Sequence, residues 1–139
     1  MSEPTNYVAG FLFSEDKKRV ALVKKEKPDW QRGKLNAIGG KIETSDQSPL
    51  FAMVREFQEE TGALVNDWRH FCDLRFRGGS IHFFVSFGDV EALRTMEAEE
   101  IQVHFVDQVG QLATIPNLRW LVPLALDKDR VAATVEDNS

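Results

Sequence analysis

Apolar residues recur along this chain in two rhythms. Short β-prone runs stand at Tyr7 to Phe13, Arg19 to Val23, Leu35 to Ile38, Trp68 to Arg77, Ser80 to Phe87 and Ile101 to Val106. Their lengths and composition predict strands. Ser14-Glu15-Asp16-Lys17-Lys18 separates the first two, which reads as a hairpin. Gly78-Gly79 joins two later runs and signals a tight hairpin. From Ser48 to Thr61 the rhythm becomes helical, with Leu50, Met53, Val54, Phe57 and Thr61 forming one stripe that would face a core. Pro49 suits the first turn of that helix and Gly62 its C-terminal cap.

Residues 26–34 form a polar loop with Pro28 and Gly33 as breakers. Asp89 to Met96 reads as a short helical or irregular connection, and Asp107 to Leu112 as a single helical turn. A second helix is expected over Asn117 to Leu126, kinked or begun by Pro123. Residues 127–139 are polar and charged and are expected to fray. The order of strands, helix, strands, helix predicts one mixed α/β domain over residues 1–139.

No apolar run approaches the ~20 residues of a membrane span, so no membrane partner is expected. MSEPTNYVAG lacks a basic segment followed by an apolar one, so no signal peptide is expected. Cys72 is the single cysteine; set in an apolar run, it reads as a buried thiol, and the location as cytoplasmic. The net charge of −5 and the interrupted stretch Lys24-Lys25-Glu26-Lys27 lack the basic track that polymeric nucleic acid needs. A small-molecule partner fits better, its phosphates neutralised by bound cations. Monomer and homodimer both stay open.

The candidate chemistry lies in residues 39–62, GGKIETSDQSPLFAMVREFQEETG. They read as a glycine turn, an acidic loop and a helix. Glu56, Glu59 and Glu60 stand at i, i+3 and i+4, which places them within about 100° of arc on the helix. Like charges at these spacings repel, so a cation in front of them is expected. A hard divalent ion such as Mg²⁺ fits carboxylate oxygens best.

This string resembles the Nudix hydrolase signature, G-x5-E-x7-R-E-U-x-E-E-x-G-U, where U is a bulky aliphatic residue. Gly40, Arg55, Glu56, Phe57, Glu59, Glu60, Gly62 and Ala63 occupy its fixed positions, Phe57 and Ala63 loosely. The signature has thirteen residues between its first glycine and the arginine; this chain has fourteen, residues 41–54. Counting forward from Gly40 puts Asp46 at the first glutamate position, and counting back from Arg55 puts Gln47 there.

The resemblance implies a Nudix α/β/α sandwich with a mixed β-sheet between helices. It implies a metal-dependent hydrolase that cleaves a nucleoside diphosphate linked to another moiety, with Mg²⁺, or Mn²⁺ in its place. Glu56, Glu59 and Glu60 would form the metal face, joined by the backbone carbonyl of Gly39 or Gly40. Arg55 would orient the carboxylates, or simply pair with Glu59 at i,i+4. A general base or extra ligand often comes from a loop outside the signature. Glu100 is the first choice for it and Glu97 the second, while Glu99 is expected to point away.

Substrate contacts are implied by a closer likeness to MutT-like nucleoside triphosphate pyrophosphohydrolases that act on oxidised purines. Leu35-Asn36-Ala37-Ile38-Gly39-Gly40-Lys41 and the stretch Ile115 to Leu124 resemble segments of those enzymes. They nominate Asn36, Asn117, Trp120 and Lys41 as substrate-binding residues. Asn36 equally suits a strand end, Asn117 an N-cap, and Trp120 the core. Trp30 is a candidate lid residue, and one of the strand phenylalanines a candidate base contact. His82 and His104 read as satisfied structural histidines. The expected reaction converts a purine dNTP, such as an oxidised one, to the monophosphate and pyrophosphate. ADP-ribose, a nucleotide sugar or a dinucleoside polyphosphate is the rival substrate, and a non-catalytic nucleotide-binding module the rival class.

Overall fold

The computed structural model describes residues 3–129 and 132–137. Its eight strands are β1 (Thr5–Ser14), β2 (Arg19–Lys24), β3 (Leu35–Asn36), β4 (Ile38–Lys41), β5 (Arg69–Phe76), β6 (Gly79–Gly88), β7 (Glu100–Phe105) and β8 (Ala133–Glu136). The helices are α1 (Pro49–Thr61) and α2 (Leu118–Leu126), with 3-10 turns at Asp29–Gln31, Val90–Ala92 and Val106–Gln111. The strands form one mixed sheet in the order β3-β2-β1-β6-β5-β8, with β4 also on β1 and β7 on β2.

β1 is the hub. One edge pairs in parallel with β6 over its whole length. The other edge is shared: Tyr7 to Gly10 pair with β4, and Leu12 and Phe13 with β2. β1 and β2 are apolar on both faces because the sheet is covered on both faces. Val8, Leu12, Ala21 and Val23 point to α1 and meet Ala52, Met53 and Phe57. Phe11, Phe13, Val20 and Leu22 point the other way and meet Leu118, Leu121, Val122 and Ala125 of α2. This is the sandwich of two helical layers around a mixed sheet.

α1 begins and ends where its local chemistry dictates. The Ser48 hydroxyl accepts from the Phe51 N–H, Pro49 follows, and Gly62 closes the helix in the left-handed region at φ 79°. Leu50, placed in the core stripe by its spacing, is instead 40 % exposed. The sequence expectation needs two further corrections. Gly39-Gly40 is no turn but part of β4, with Ala9 opposite Gly39 and Val8 opposite Gly40. Within the stretch expected to fray, Ala133–Glu136 pair in parallel with β5, which supplies the ladder partners that a polar segment cannot supply for itself. Residues 130–131 and 138–139 of that stretch lie outside the described residues. Cys72 is buried, and no helix among the described residues is long and apolar enough to cross a membrane.

Candidate active site

α1 lies across β4, and the two make the centre of the site. A Cβ on Gly40 would come within 2.5 Å of the Glu56 carboxyl carbon, so only glycine leaves that carboxylate where it lies. One on Gly39 would fall 1.9 Å from the Val8 carbonyl oxygen, which explains the second glycine. The glycines thus let Glu56 lie against the strand that carries Gly40.

Arg55 is the hub of the acidic face. Its Nε and Nη2 donate to the two oxygens of Asp46 at 2.9 and 2.8 Å. Its Nη1 donates to Glu56 at 3.0 Å and to Glu59 at 3.0 and 3.2 Å, and Nη2 also reaches the Lys41 carbonyl at 3.2 Å. Of the two residues that counting puts at the first glutamate position, Asp46 and Gln47, it is Asp46 that Arg55 grips. It also accepts from the Glu43 N–H, which ties the acidic loop to the helix despite the extra residue. The Arg55 fork holds Asp46 below the ordinary carboxylate range. The same carboxylates push Arg55 upward, so the guanidinium stays charged.

Glu60 is the member Arg55 does not reach. Its Oε2 is buried without a hydrogen-bond partner. Burial first, then the neighbouring charges of Glu56, Glu97 and Glu99, push its carboxyl up to about 8, with Lys25 opposing. Burial also raises Glu56, against the pull of Arg55. A desolvated carboxyl oxygen that feels other carboxylates is a group that a bound cation would satisfy. The donor set is all oxygen, which fits a hard divalent ion.

The loop acids sort differently from the sequence expectation. The Arg94 and Met96 N–H groups donate to the carbonyls of Thr61 and Glu60, docking this loop on the end of α1. That brings Glu97 close enough for its charge to act on both Glu56 and Glu60. Glu99 is occupied: it accepts from Lys25 Nζ at 2.9 Å and from the Glu26 and Lys27 N–H groups at 2.7 and 3.2 Å. Burial would raise it, but those donors outweigh burial and lower it. Glu100 already belongs to β7, opposite Lys24, and accepts from Gln102 at 2.6 Å. The β7 ladder fixes its position.

A cleft of ≈ 680 Å³ opens beside β4 and takes in Gly39, Gly40, Lys41, Asn36 and Asn117. Its size suits a nucleotide. Asn36 lines it while accepting from the Ala37 N–H and donating to Gln31, so it serves the strand end as well. Asn117 occupies the N-cap position of α2 but makes no side-chain capping bond, so its place in the cleft is not explained by a cap. Trp120 does not line the cleft; it packs against the core under α2, because the helical phase turns its ring there. Trp30, 60 % exposed, stands at the cleft, as do Phe76 and Phe83. Lys25 and Arg77 also line it and were missed. The interrupted lysine stretch was the only sequence signal for Lys25; Arg77, in a hairpin turn, had none. His104 is bonded to Gln102 at 2.7 Å, as expected of a structural histidine.

The NUDIX domain model matches residues 4–129. The chain belongs to this family, and is a Nudix hydrolase. A MutT structure from work on Aliivibrio salmonicida and Vibrio cholerae superimposes with a TM-score of 0.75 at 24 % identity, covering 87 % of this chain and 96 % of that one. The NUDIX domain of Shewanella oneidensis NrtR, complexed with ADP ribose, gives 0.78 at 19 % identity, covering 90 % and 88 %. A MutT protein from Bacillus halodurans gives 0.76 at 21 % identity, covering 96 % and 90 %. At such identities these likenesses speak for the shared Nudix fold. No curated protein sequence gives a significant match.

Proposed function

We propose that this Nudix hydrolase cleaves a nucleoside triphosphate, a purine dNTP such as an oxidised one, to the monophosphate and pyrophosphate. The observation that carries the reading is the buried, unpartnered Glu60 oxygen, acted on by the charge of Glu56, whose own carboxylate lies against Gly40, a lining residue of a nucleotide-sized cleft. Glu56, Glu59, Glu60 and the Gly40 carbonyl would hold Mg²⁺ or Mn²⁺. Bound there, the ion would neutralise phosphoryl oxygens and acidify water.

Arg55 fixes Glu56 and Glu59 and is itself fixed by Asp46, so the acidic face is preorganised. Lys25, Lys41 and Arg77 supply positive charge along the cleft for the phosphate chain. Asn36 and Asn117 offer both donor and acceptor to a purine edge. Trp30 closes over the base from its exposed loop. Water attacks phosphorus, a new P–O bond forms, the bond to the bridging oxygen breaks, and the proton passes to Glu97.

A second reading, ADP-ribose hydrolysis, is favoured by the likeness to the NrtR domain complexed with ADP ribose. One screen separates the readings: the purified chain with Mg²⁺ is offered dNTPs, oxidised dGTP and ADP-ribose, and the products are identified. Monophosphate and pyrophosphate from a purine triphosphate support the first reading. Ribose phosphate and AMP from ADP-ribose alone support the second. Tight binding without turnover of any nucleotide overturns both.

A further inference from the structure

β5 and β6 bring a second constellation together. His70 Nε2 lies 2.7 Å and His82 Nδ1 2.6 Å from the same oxygen, Asp73 Oδ1. One ligand atom from each of the three falls within 4.8 Å of the others. In a regular strand His70 and Asp73, three apart, would point to opposite faces. A β-bulge prevents this: His70 pairs with Phe84 and Cys72 with Phe83, so Phe71 is an extra residue. Residues 82 and 84 share a face, and the bulge therefore sets His70 beside Asp73 and His82. Bulges re-aim side chains in this way, and they sit where a sheet does something local.

We propose that His70, Asp73 and His82 form a binding site for a divalent transition-metal ion of the Zn²⁺ type. Two imidazoles and a carboxylate select borderline ions such as Zn²⁺, Co²⁺ or Ni²⁺ over Mg²⁺, which prefers oxygen throughout. On binding, each imidazole presents the lone pair of its facing nitrogen and carries its proton on the other. The three donors spread modestly to surround the ion, since ligands about 2.0–2.1 Å from a tetrahedral centre stand about 3.4 Å apart. The side chains are 36 %, 25 % and 27 % exposed for His70, Asp73 and His82, which leaves room for water as the fourth ligand. The Phe84 ring, 5.5 Å from the His70 ring, limits its swing on one side.

The site is separate from the acids of α1. Gly40, Val8, His82 and Asp73 stand in one row across β4, β1, β6 and β5. Two strand spacings, about 10 Å, separate Gly40 from His82, with buried Val8 between them. An ion here joins β5 to β6 without touching the residues assigned to hydrolysis.

The test counts Zn²⁺ retained by the full chain after equilibrium dialysis with Mg²⁺ in large excess, alongside visible absorbance on titration with Co²⁺. Wild type and Glu59→Gln are expected to retain one Zn²⁺ and to give the intense bands of Co²⁺ in a low-coordinate nitrogen-containing site. His70→Gln and His82→Gln should each lose that ion, weakening binding beyond the roughly 10–100-fold that losing an outer-shell partner costs. Zn²⁺ should raise the thermal unfolding midpoint of wild type and leave His70→Gln and His82→Gln unmoved. His70→Gln alters the most exposed of the three groups and serves if His82→Gln misfolds by circular dichroism. Equal Zn²⁺ retention in wild type and both histidine variants overturns the site. Loss in Glu59→Gln instead places the ion on α1 and overturns it too.

Discussion

Arg55 grips Asp46 through two parallel hydrogen bonds, Nε to Oδ1 at 2.9 Å and Nη2 to Oδ2 at 2.8 Å. This fork joins the acidic loop to the helix that carries the reacting face, and the Asp46 side chain is only 1 % exposed. Asp46→Ala frees Arg55 to collapse onto Glu56 and Glu59. The expected result is a kcat lowered by about 10–100-fold, since small misplacements at a reacting centre cost that much. Gln47→Ala is expected to change kcat little. Steady-state kinetics on the two variants checks the assignment; equal losses would remove the special place of Asp46.

Gly40 and Glu56 make a second such pair. Gly40→Ala puts a methyl group 2.5 Å from the Glu56 carboxyl carbon, which must then move. Turnover is expected to fall by about 100-fold while far-UV circular dichroism stays unchanged. A shift of the half-saturating Mg²⁺ concentration in the same variant reports the displaced carboxylate.

Glu60 ties stability to pH. Its folded value of about 8 stands above the ordinary glutamate value of 4.5, so between these the folded, metal-free chain keeps a proton that the unfolded chain has lost. Stability is therefore fully supported by this group below the lower value and declines as pH rises through the upper one. Urea midpoints of the chelated protein from about pH 5 to about pH 9 should fall, and Glu60→Gln should flatten the decline. By the same linkage, Mg²⁺ binding near neutral pH releases protons, which calorimetry in buffers of different ionisation enthalpy measures. An unchanged slope in Glu60→Gln would assign the proton elsewhere.

Glu97 is expected to outrank Glu100. Glu97→Gln should lower kcat strongly with little change in KM, the pattern of a group acting mainly in the transition state. Glu100→Gln, on the β7 ladder, should match wild type. Glu99→Gln should raise KM, because Glu99 holds the Glu26 and Lys27 N–H groups and Lys25 beside the cleft. A large kcat loss in Glu100→Gln alone would restore the sequence expectation.

Asn117→Ala should raise KM for the preferred purine nucleotide more than for a pyrimidine one. A lost hydrogen bond to a neutral group costs ~0.5–1.5 kcal/mol. Trp120→Phe, away from the cleft, should leave base preference intact. Equal KM changes for all bases in Asn117→Ala would make that residue structural.

Much of this was legible in the sequence for a physical reason. Helix phase, capping and hairpin turns depend on residues a few positions apart, so Ser48, Pro49, Gly62, Gly78 and the glutamate face of α1 announced themselves. The Nudix string is compact for the same reason: its metal face needs i, i+3 and i+4 on one helix.

What the tertiary structure decided involves partners distant in the chain. Asp46 rather than Gln47 reaches Arg55 because the loop folds back on the helix. Gly39-Gly40 becomes strand because β1 pairs with it, and Ala133–Glu136 because β5 does. Glu99 turns to Lys25, 74 positions away, while Glu97 is carried to α1 by the backbone bonds of Arg94 and Met96. A single bulge at Phe71 breaks the two-residue period and sets His70 beside Asp73. The sequence by itself determined the helix, its acids and the family; which distant carboxylates, histidines and glycines meet was decided by sheet register and loop docking, which local periodicity does not encode.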